Sequence, residues 1–341
     1  MNPVGLALFS RQMLPELELA MQAFVRKVSQ SRQLEVFEMV SYQLGWSGDG
    51  AGLAAQGKRI RPLLLLLCNA ALGGDWHQAI AAAVSVELLH NFSLIHDDIQ
   101  DQSLTRRGRP TLWVQWGIAQ AINVGDLMFS LAQLAMLEAG SGKNPGMVVE
   151  ITHLLNETCV ELTCGQYLDI DFEKRRLVKM PEYLEMITEK TATLLGGSAE
   201  IGAILAEAAP YQRIAMRKFG IALGLAFQAV DDWLGIWGNA QMSGKSTESD
   251  LVTEKKTLPV IFALANDEDF TLRWNTGPVR PEEVTTLADL LVVDGAQKFV
   301  EQTADDLTRQ ALEALDLAVG NNSAAGKALF ELTKLLLARE H

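Results

Sequence analysis

Cysteine is scarce in this chain. There are 3 in 341 residues, Cys68, Cys159 and Cys164, and the last two lack the spacing of a zinc motif. An odd, sparse set in apolar surroundings excludes a disulfide framework and reads as reduced thiols of a cytosolic protein. Excess basic charge is missing too. Lys and Arg total 29 against 42 Asp and Glu, a net charge of −13. An acidic surface repels nucleic acid and anionic lipid, so nonspecific binding to either is not expected. The apolar run at residues 62–72 is far shorter than the ~20 residues a spanning helix needs. Residues 1–24 carry no long apolar stretch behind a basic start, so no signal peptide is expected. Proline is sparse, at 10 residues, and most glycines sit at the ends of helical patterns. Strand alternation bounded by hairpin turns, fixed-period repeats and low-complexity tracts are all absent.

What is present is helical periodicity. Apolar residues recur at three- and four-residue spacings over residues 14–44 and 148–168. Pro181-Glu182-Tyr183 reads as a helix start. Ala208-Ala209-Pro210 reads as a break before a helix over 211–237. Loops are expected at 47–52, 73–76, 140–146, 238–253 and 266–283. The reading is an all-α fold: one domain, residues 1–341, of ten or more helices around a central apolar cavity.

Two acidic groups end apolar helical stretches. Asp97-Asp98-Ile99-Gln100-Asp101 follows residues 86–95, and on a helix Asp97 and Asp101 share a face. Asp231-Asp232 follows residues 219–230. Clustered carboxylates repel one another unless a cation joins them, and oxygen-only ligands suit Mg²⁺, which also binds substrate phosphate. Taken alone, such a pentad is commonly a solvated helix end; two of them on similar helices suggest carboxylates facing one another around a polyanion. The basic residues complement them. Arg106-Arg107-Gly108-Arg109 follows the first group, Lys58-Arg59-Ile60-Arg61 precedes a helix that buries residues 63–67, and Lys245, Lys255 and Lys256 follow the second. Guanidinium forks hold phosphate oxygens two at a time.

From Gly57 to Thr257 the ordered series resembles the trans-isoprenyl diphosphate synthases, the polyprenyl synthetase family. It comprises Gly57-Lys58-Arg59-Ile60-Arg61-Pro62, Glu87-Leu88-Leu89-His90, His96-Asp97-Asp98-Ile99-Gln100-Asp101, Arg106-Arg107-Gly108, Gly165-Gln166, Lys190-Thr191-Ala192 and Phe227-Gln228-Ala229-Val230-Asp231-Asp232. Gly244-Lys245 and Asp250 through Lys255 close it. The resemblance implies the isoprenoid synthase fold, a homodimer with the helix at 117–139 as its candidate interface, and a cytoplasmic prenyltransferase. Its implied substrates are isopentenyl diphosphate and an allylic diphosphate (dimethylallyl, geranyl or farnesyl). It implies three Mg²⁺ ions, replaceable by Mn²⁺, with Asp97 and Asp101 as ligands, Asp98 in support, Asp231 as a direct ligand and Asp232 acting through waters. Arg106, Lys190, Lys245 and Lys255 would hold the allylic diphosphate. Lys58, Arg61, His90 and Arg107 would hold that of isopentenyl diphosphate. Thr191 and Gln228 would lie beside the reacting allyl group.

One position departs from the pattern: Gly235 stands where the family's second motif usually has a third aspartate. A class I terpene cyclase therefore stays open as an alternative, since Asp231, Asp232 and Gly235 fit its register, although Asn239 replaces the expected Glu. The retained basic residues favour the synthase, because a cyclase needs no isopentenyl diphosphate pocket. A noncatalytic subunit of a heteromeric synthase is the third reading. Product length is expected to be set by side chains preceding the first motif, Ser93, Phe92 and Leu89. An aromatic residue in the place of Phe92 limits elongation in the family, and with small Ser93 beside it the expected product is geranylgeranyl diphosphate, then farnesyl diphosphate.

Overall fold

The apolar three- and four-residue spacing becomes helix almost everywhere. The computed structural model describes residues 5–30, 32, 35–140, 142, 144–238, 250–320 and 323–338. The amino-terminal periodicity divides into α1 (Leu6–Ser29) and α2 (Val36–Gln43). After a single turn, α3 (Leu53–Gln56), come α4 (Ile60–Ala71) and α5 (Ile80–Gln100). A two-strand hairpin, β1 (Thr105–Arg106) and β2 (Arg109–Pro110), pairs antiparallel with Arg106 opposite Arg109. The sequence pattern gave no sign of it, because two residues per strand are too few to show alternation. Then follow α6 (Leu112–Trp116), α7 (Ile118–Ala139), α8 (Pro145–Lys174), α9 (Met180–Ile187), a π-helical turn (Thr188–Ala192), α10 (Thr193–Leu205) and α11 (Pro210–Trp237). The chain ends with α12 (Leu258–Asn266), α13 (Glu268–Trp274), α14 (Val284–Val293), α15 (Ala296–Val319) and α16 (Ala324–Leu337). The expected loop at 266–283 thus contains a helix. Asp267 starts it, its carboxylate accepting from the backbone N–H groups of Asp269 and Phe270.

The described residues gather into two compact units. One takes the chain up to Cys159, Gly197–Arg217 and Asp316–Glu331; the other takes Val160–Gly196, Lys218–Leu315 and the chain from Leu332. In the first, α4 is apolar from Pro62 to Cys68 and Leu63 through Leu67 are buried, as a central core helix requires. Helices α5 and α7 pack lengthwise, and Ser85 Oγ donates to the Ala132 carbonyl at 2.7 Å along their seam. In the second, Phe172, Tyr183, Ile187, Val230, Trp233 and Leu258 form one core cluster, and Phe270, Trp274, Leu287 and Leu291 belong to another.

Residues Trp76–Gln100 and Pro210–Trp237 are long and apolar enough to cross a membrane, but 61% and 56% of their most apolar windows are buried within the protein. Their apolar surface is spent on neighbouring helices. On α7, by contrast, Ile118, Ile122, Leu134 and Leu137 remain exposed.

Candidate active site

In the first unit the site is built on the last turn of α5. Asp97 and Asp101 lie one helical turn apart and are partly exposed and exposed, while Asp98 is buried. Arg106, on β1, fixes this difference. Its Nε donates to Asp98 Oδ1 at 2.8 Å and Oδ2 at 3.0 Å, and its Nη2 reaches Asp97 Oδ2 at 3.3 Å. Burial raises the Asp98 carboxyl to about 6, against the opposing pull of Arg106. Asp98 is therefore an anchor, and Asp97 and Asp101 are the carboxylates this turn can offer to a cation.

The basic stretch before α4 is sorted by one backbone turn. Gly57 and Arg59 take positive φ angles of 78° and 49°, and the turn buries Arg59 while it leaves Lys58 exposed. Arg59 is buried: its Nη1 binds Glu87 Oε1 at 2.6 Å, its Nε binds Glu18 Oε2 at 3.3 Å and its Nη2 donates to the Leu44 carbonyl at 3.0 Å. Lys58 is exposed. Arg61 Nη1 lies 3.2 Å from His90 Nε2. Desolvation holds His90 well below its usual value, and Arg61, Arg107, Arg106 and Arg59 push it further down. Burial and the charge of Arg107 also lower Arg61, against Glu87. Guanidinium groups crowded round a neutral imidazole form an anion site. Arg107 also braces the chain before α4, where its Nη1 donates to the carbonyls of Ala55 and Gln56 at 2.9 and 2.8 Å.

The second unit carries its own group of candidate residues, on the π turn and the end of α11. Gly165 on α8 packs so tightly against the backbone of Lys190 that a Cβ there would overlap it. This close approach accounts for the glycine of Gly165-Gln166. Turns of π-helix are frequent at functional sites, because the extra residue re-aims the side chains it carries. Here it carries Lys190, which pairs with Asp169, and Thr191, whose Oγ1 donates to Gln228 Oε1 at 3.1 Å. Gln228 Nε2 in turn donates to Asp232 Oδ1 at 2.8 Å. Asp232 is buried, and its Oδ2 accepts from the Tyr183 hydroxyl and from the Leu258 N–H at 2.7 Å. Burial raises its carboxyl to about 6. Asp231 is only partly buried. Both motifs thus share one design, in which the second aspartate is locked inward and the first is left toward the surface.

The glycine at 235 has a local cause. A Cβ there would overlap the carboxylate of Asp250, whose N–H donates to the Gly235 carbonyl at 3.2 Å. Lys255 is exposed in the following turn. Lys245, Gly244 and Asn239 lie outside the described residues. On α5, Leu89 is buried in the core, Ser93 Oγ is turned back to the His90 carbonyl at 2.8 Å, and the Phe92 ring sits 4.9 Å from that of His96 and 5.4 Å from that of Phe129 on α7.

Among the described residues no three carboxylate, imidazole or thiol groups form a ready metal cage. A Mg²⁺ ion usually takes one or two carboxylates and completes its shell with water and substrate phosphate, so Asp97 with Asp101 in the first unit, and separately Asp231 in the second, are chemically fitting donors. The sequence pattern gave no structural role to the residues that hold the site in place: Arg59 with Glu18 and Glu87, Tyr183 beneath Asp232, Asp169 beside Lys190, and Arg109. Arg59, Glu87 and Arg109 stand within the quoted motifs without a role assigned to them, Glu18, Asp169 and Tyr183 stand outside those motifs, and only their distant partners reveal what they do.

An all-helical chain with two aspartate-bearing helix ends and a cationic pocket defines a class, the isoprenoid synthase fold. A model of the polyprenyl synthetase family matches residues 51–291. The (2E,6E)-farnesyl diphosphate synthase of Mycobacterium tuberculosis is 39% identical over 318 residues, covering 89% of this chain and 87% of that one. The geranylgeranyl diphosphate synthase of the same organism is 36% identical over 309 residues, covering 89% and 86%. Among solved structures, a polyprenyl synthetase from Streptomyces coelicolor A3(2) superposes with a TM-score of 0.85 at 34% identity, covering 98% of this chain and 100% of that one. A geranylgeranyl pyrophosphate synthetase from Pyrococcus horikoshii gives 0.86 at 33% identity, covering 98% and 99%. The chain belongs to the polyprenyl synthetase family and is a prenyltransferase.

Proposed function

We propose that this prenyltransferase, a short-chain prenyl diphosphate synthase, joins isopentenyl diphosphate head-to-tail to an allylic diphosphate and releases geranylgeranyl diphosphate. The observation that carries the reading is the cationic pocket of Arg61, Arg107 and neutral His90, with Lys58 exposed three residues before Arg61. A terpene cyclase has no second diphosphate to bind and no use for such a pocket. Intact basic residues beside an intact first aspartate motif likewise speak against a noncatalytic subunit.

In this mechanism Asp97, Asp101 and Asp231 would hold Mg²⁺, or Mn²⁺ in its place. Asp98 and Asp232 keep those ligands in register. The ions, when bound, supply charge neutralisation for the leaving diphosphate. Arg106, Lys190, Lys245 and Lys255 add positive charge to the same group, which favours heterolysis of the allylic C–O bond. Lys58, Arg61, His90 and Arg107 bind the second diphosphate and bring its double bond to the allylic cation, replacing an improbable encounter in water. A new C–C bond forms, a proton leaves the adjacent carbon for the departing diphosphate, and the double bond is restored. The oxygens of Thr191 and Gln228 lie close to the developing positive charge. A polyprenyl synthase of Caulobacter crescentus, 26% identical with a TM-score of 0.83, has been solved with calcium and isoprenyl diphosphate, which supports a divalent metal here.

Phe92, backed by Phe129, forms the floor of the growing chain's channel and favours geranylgeranyl over farnesyl diphosphate. The exposed apolar residues of α7 support a homodimer. The protein acts in the cytoplasm, and residues 1–341 work as one catalytic domain.

The test is incubation of the purified protein with Mg²⁺ and dimethylallyl, geranyl or farnesyl diphosphate, with and without isopentenyl diphosphate. Elongated diphosphates formed only with both substrates support the synthase. Hydrocarbon or alcohol from the allylic substrate alone overturns it in favour of the cyclase.

A further inference from the structure

We infer that Arg109 is a positioning residue for isopentenyl diphosphate, clamping the loop that delivers Lys58 and Arg61. This rests on the synthase reading above, which gives those two residues their substrate.

Arg109 is 7% exposed. Among the described residues its partners are carbonyls rather than carboxylates. Its Nε donates to Asp49 O at 2.8 Å, its Nη1 to Tyr42 O at 3.1 Å and its Nη2 to Ser47 O at 2.6 Å. The guanidinium lies 3.8 Å over the Tyr42 ring. The Tyr42 hydroxyl donates back to Pro110 O at 2.8 Å, closing a ring of contacts between α2, the loop after it and β2. A charge buried this way is costly unless its donors are satisfied. Here the Tyr42 carbonyl at the end of α2 and the Ser47 and Asp49 carbonyls of the loop after it each take a donor, so the loop cannot drift without leaving the cation less well paired.

The loop itself is shaped to receive this side chain. Gly48 and Gly50 have positive φ angles of 78° and 71°. A Cβ on Gly48 would stand 2.7 Å from the Tyr42 ring and 3.1 Å from Arg109 Nη2. At the loop's other end Arg107, two residues along the same hairpin, binds the carbonyls of Ala55 and Gln56. A Cβ on Gly57 would come within 2.5 Å of the Arg107 guanidinium. The hairpin therefore grips residues 42–49 and 55–56, and the next side chains are Lys58, Arg59 and Arg61. Arg59 adds a third fixed point through Leu44 O at 3.0 Å. The cations of the pocket inherit their position from this frame. Lysine cannot replace Arg109 in it, because a single ammonium is a point charge and cannot span three divergent carbonyls.

The experiment measures KM for each substrate separately, kcat, and amide hydrogen exchange over residues 44–57 for Arg109→Lys, Tyr42→Phe and Lys58→Ala. Arg109→Lys should raise KM for isopentenyl diphosphate by between about 10- and 100-fold and speed exchange across the loop, with kcat and the allylic KM within about twofold of wild type. Tyr42→Phe, which loses only the bond to Pro110 O, should shift the same two readouts in the same direction by less, and it decides the matter if Arg109→Lys does not fold. Lys58→Ala should raise the same KM without speeding exchange over residues 44–52. An isopentenyl diphosphate KM that moves in Lys58→Ala but not in the clamp variants overturns the role of Arg109 while leaving the synthase reading intact. A parallel loss of kcat, allylic KM and melting temperature also overturns it, since that is general destabilisation. If Lys58→Ala leaves the KM unchanged, the assignment of this pocket falls and the clamp's role falls with it.

Discussion

Arg61 Nη1 sits 3.2 Å from His90 Nε2, a cation facing a ring nitrogen that accepts only while unprotonated. The folded protein therefore refuses a proton that the unfolded chain accepts. Because the folded value lies well below the ordinary 6.5, the free protein should lose stability as pH falls through that ordinary value. Urea denaturation at about pH 7.5 and about pH 5.5 should show a larger acid-side loss for wild type than for His90→Gln. Equal losses would show that His90 takes up its proton in the folded state. Isopentenyl diphosphate, by adding negative charge, should raise the His90 value in an NMR titration of its ring protons.

Asp97 and Asp98 are adjacent but unequal. Asp98→Asn keeps the fold of the turn and weakens the grip of Arg106, with an expected fall in kcat of about 10- to 100-fold, the range seen when an outer partner of a metal site is lost. Asp97→Asn removes a proposed ligand and should cost more than that. Steady-state rates across a Mg²⁺ titration distinguish them: only the Asp97 variant should need substantially more metal. The reverse order would assign the ligand to Asp98.

Phe92 is wedged between His96 and Phe129. Phe92→Ala should lengthen the product beyond geranylgeranyl diphosphate, as read by chromatography of the dephosphorylated alcohols. Phe129→Ala should do so to a smaller degree, by letting the Phe92 ring swing. An unchanged product in Phe92→Ala would place the floor elsewhere.

Restoring the family's usual aspartate at Gly235 should harm this protein. The space is taken by Asp250, so Gly235→Asp adds both a steric overlap and a like charge. A loss of about 1–3 kcal/mol in stability is expected, with no gain in activity. A thermal melt at or above wild type would mean that Asp250 moves aside freely.

Asp294, just past the end of α14, and Asp267, just before α13, each bury an Oδ2 that no donor reaches, and their two carboxyls interact. The neighbouring Asp267 carboxyl, then burial, raises Asp294 to about 6, while Asp267 is lowered by Asp294. A raised carboxyl keeps its proton in the folded state, so this pair's stabilisation is present at low pH and is lost as pH climbs through about 6. Asp294→Asn supplies the donor at every pH. Its stability relative to wild type should rise between about pH 4 and about pH 7, and a difference that stays flat would show that no proton is shared.

Much of the architecture is legible along the chain. The break at Ala208-Ala209-Pro210, the helix that follows it and the helix start at Pro181 all lie where local signals put them. The helix of Glu268–Trp274 was hidden because its seven residues are too few for a clear period. The hairpin at 105–110 was hidden for the same reason. The chemistry-bearing residues were legible as types in order, yet their jobs were not. Nothing in Lys58-Arg59-Ile60-Arg61 says that Arg59 is structural. Its two carboxylate partners, Glu18 and Glu87, are 41 and 28 residues away.

Composition and periodicity by themselves determined the helical class, and the ordered acidic and basic motifs determined the family. Both are local properties of the chain, because helix formation and motif spacing depend on near neighbours. Tertiary structure decided which member of each charged pair is buried and which stays toward the surface. It turned Asp98 and Asp232 inward, left Asp97 and Asp231 toward the surface, bent the chain through a π turn at Lys190 and set Arg109 under the loop of the basic pocket. A charge can be buried only where remote groups satisfy it, and those groups meet only once the chain has folded.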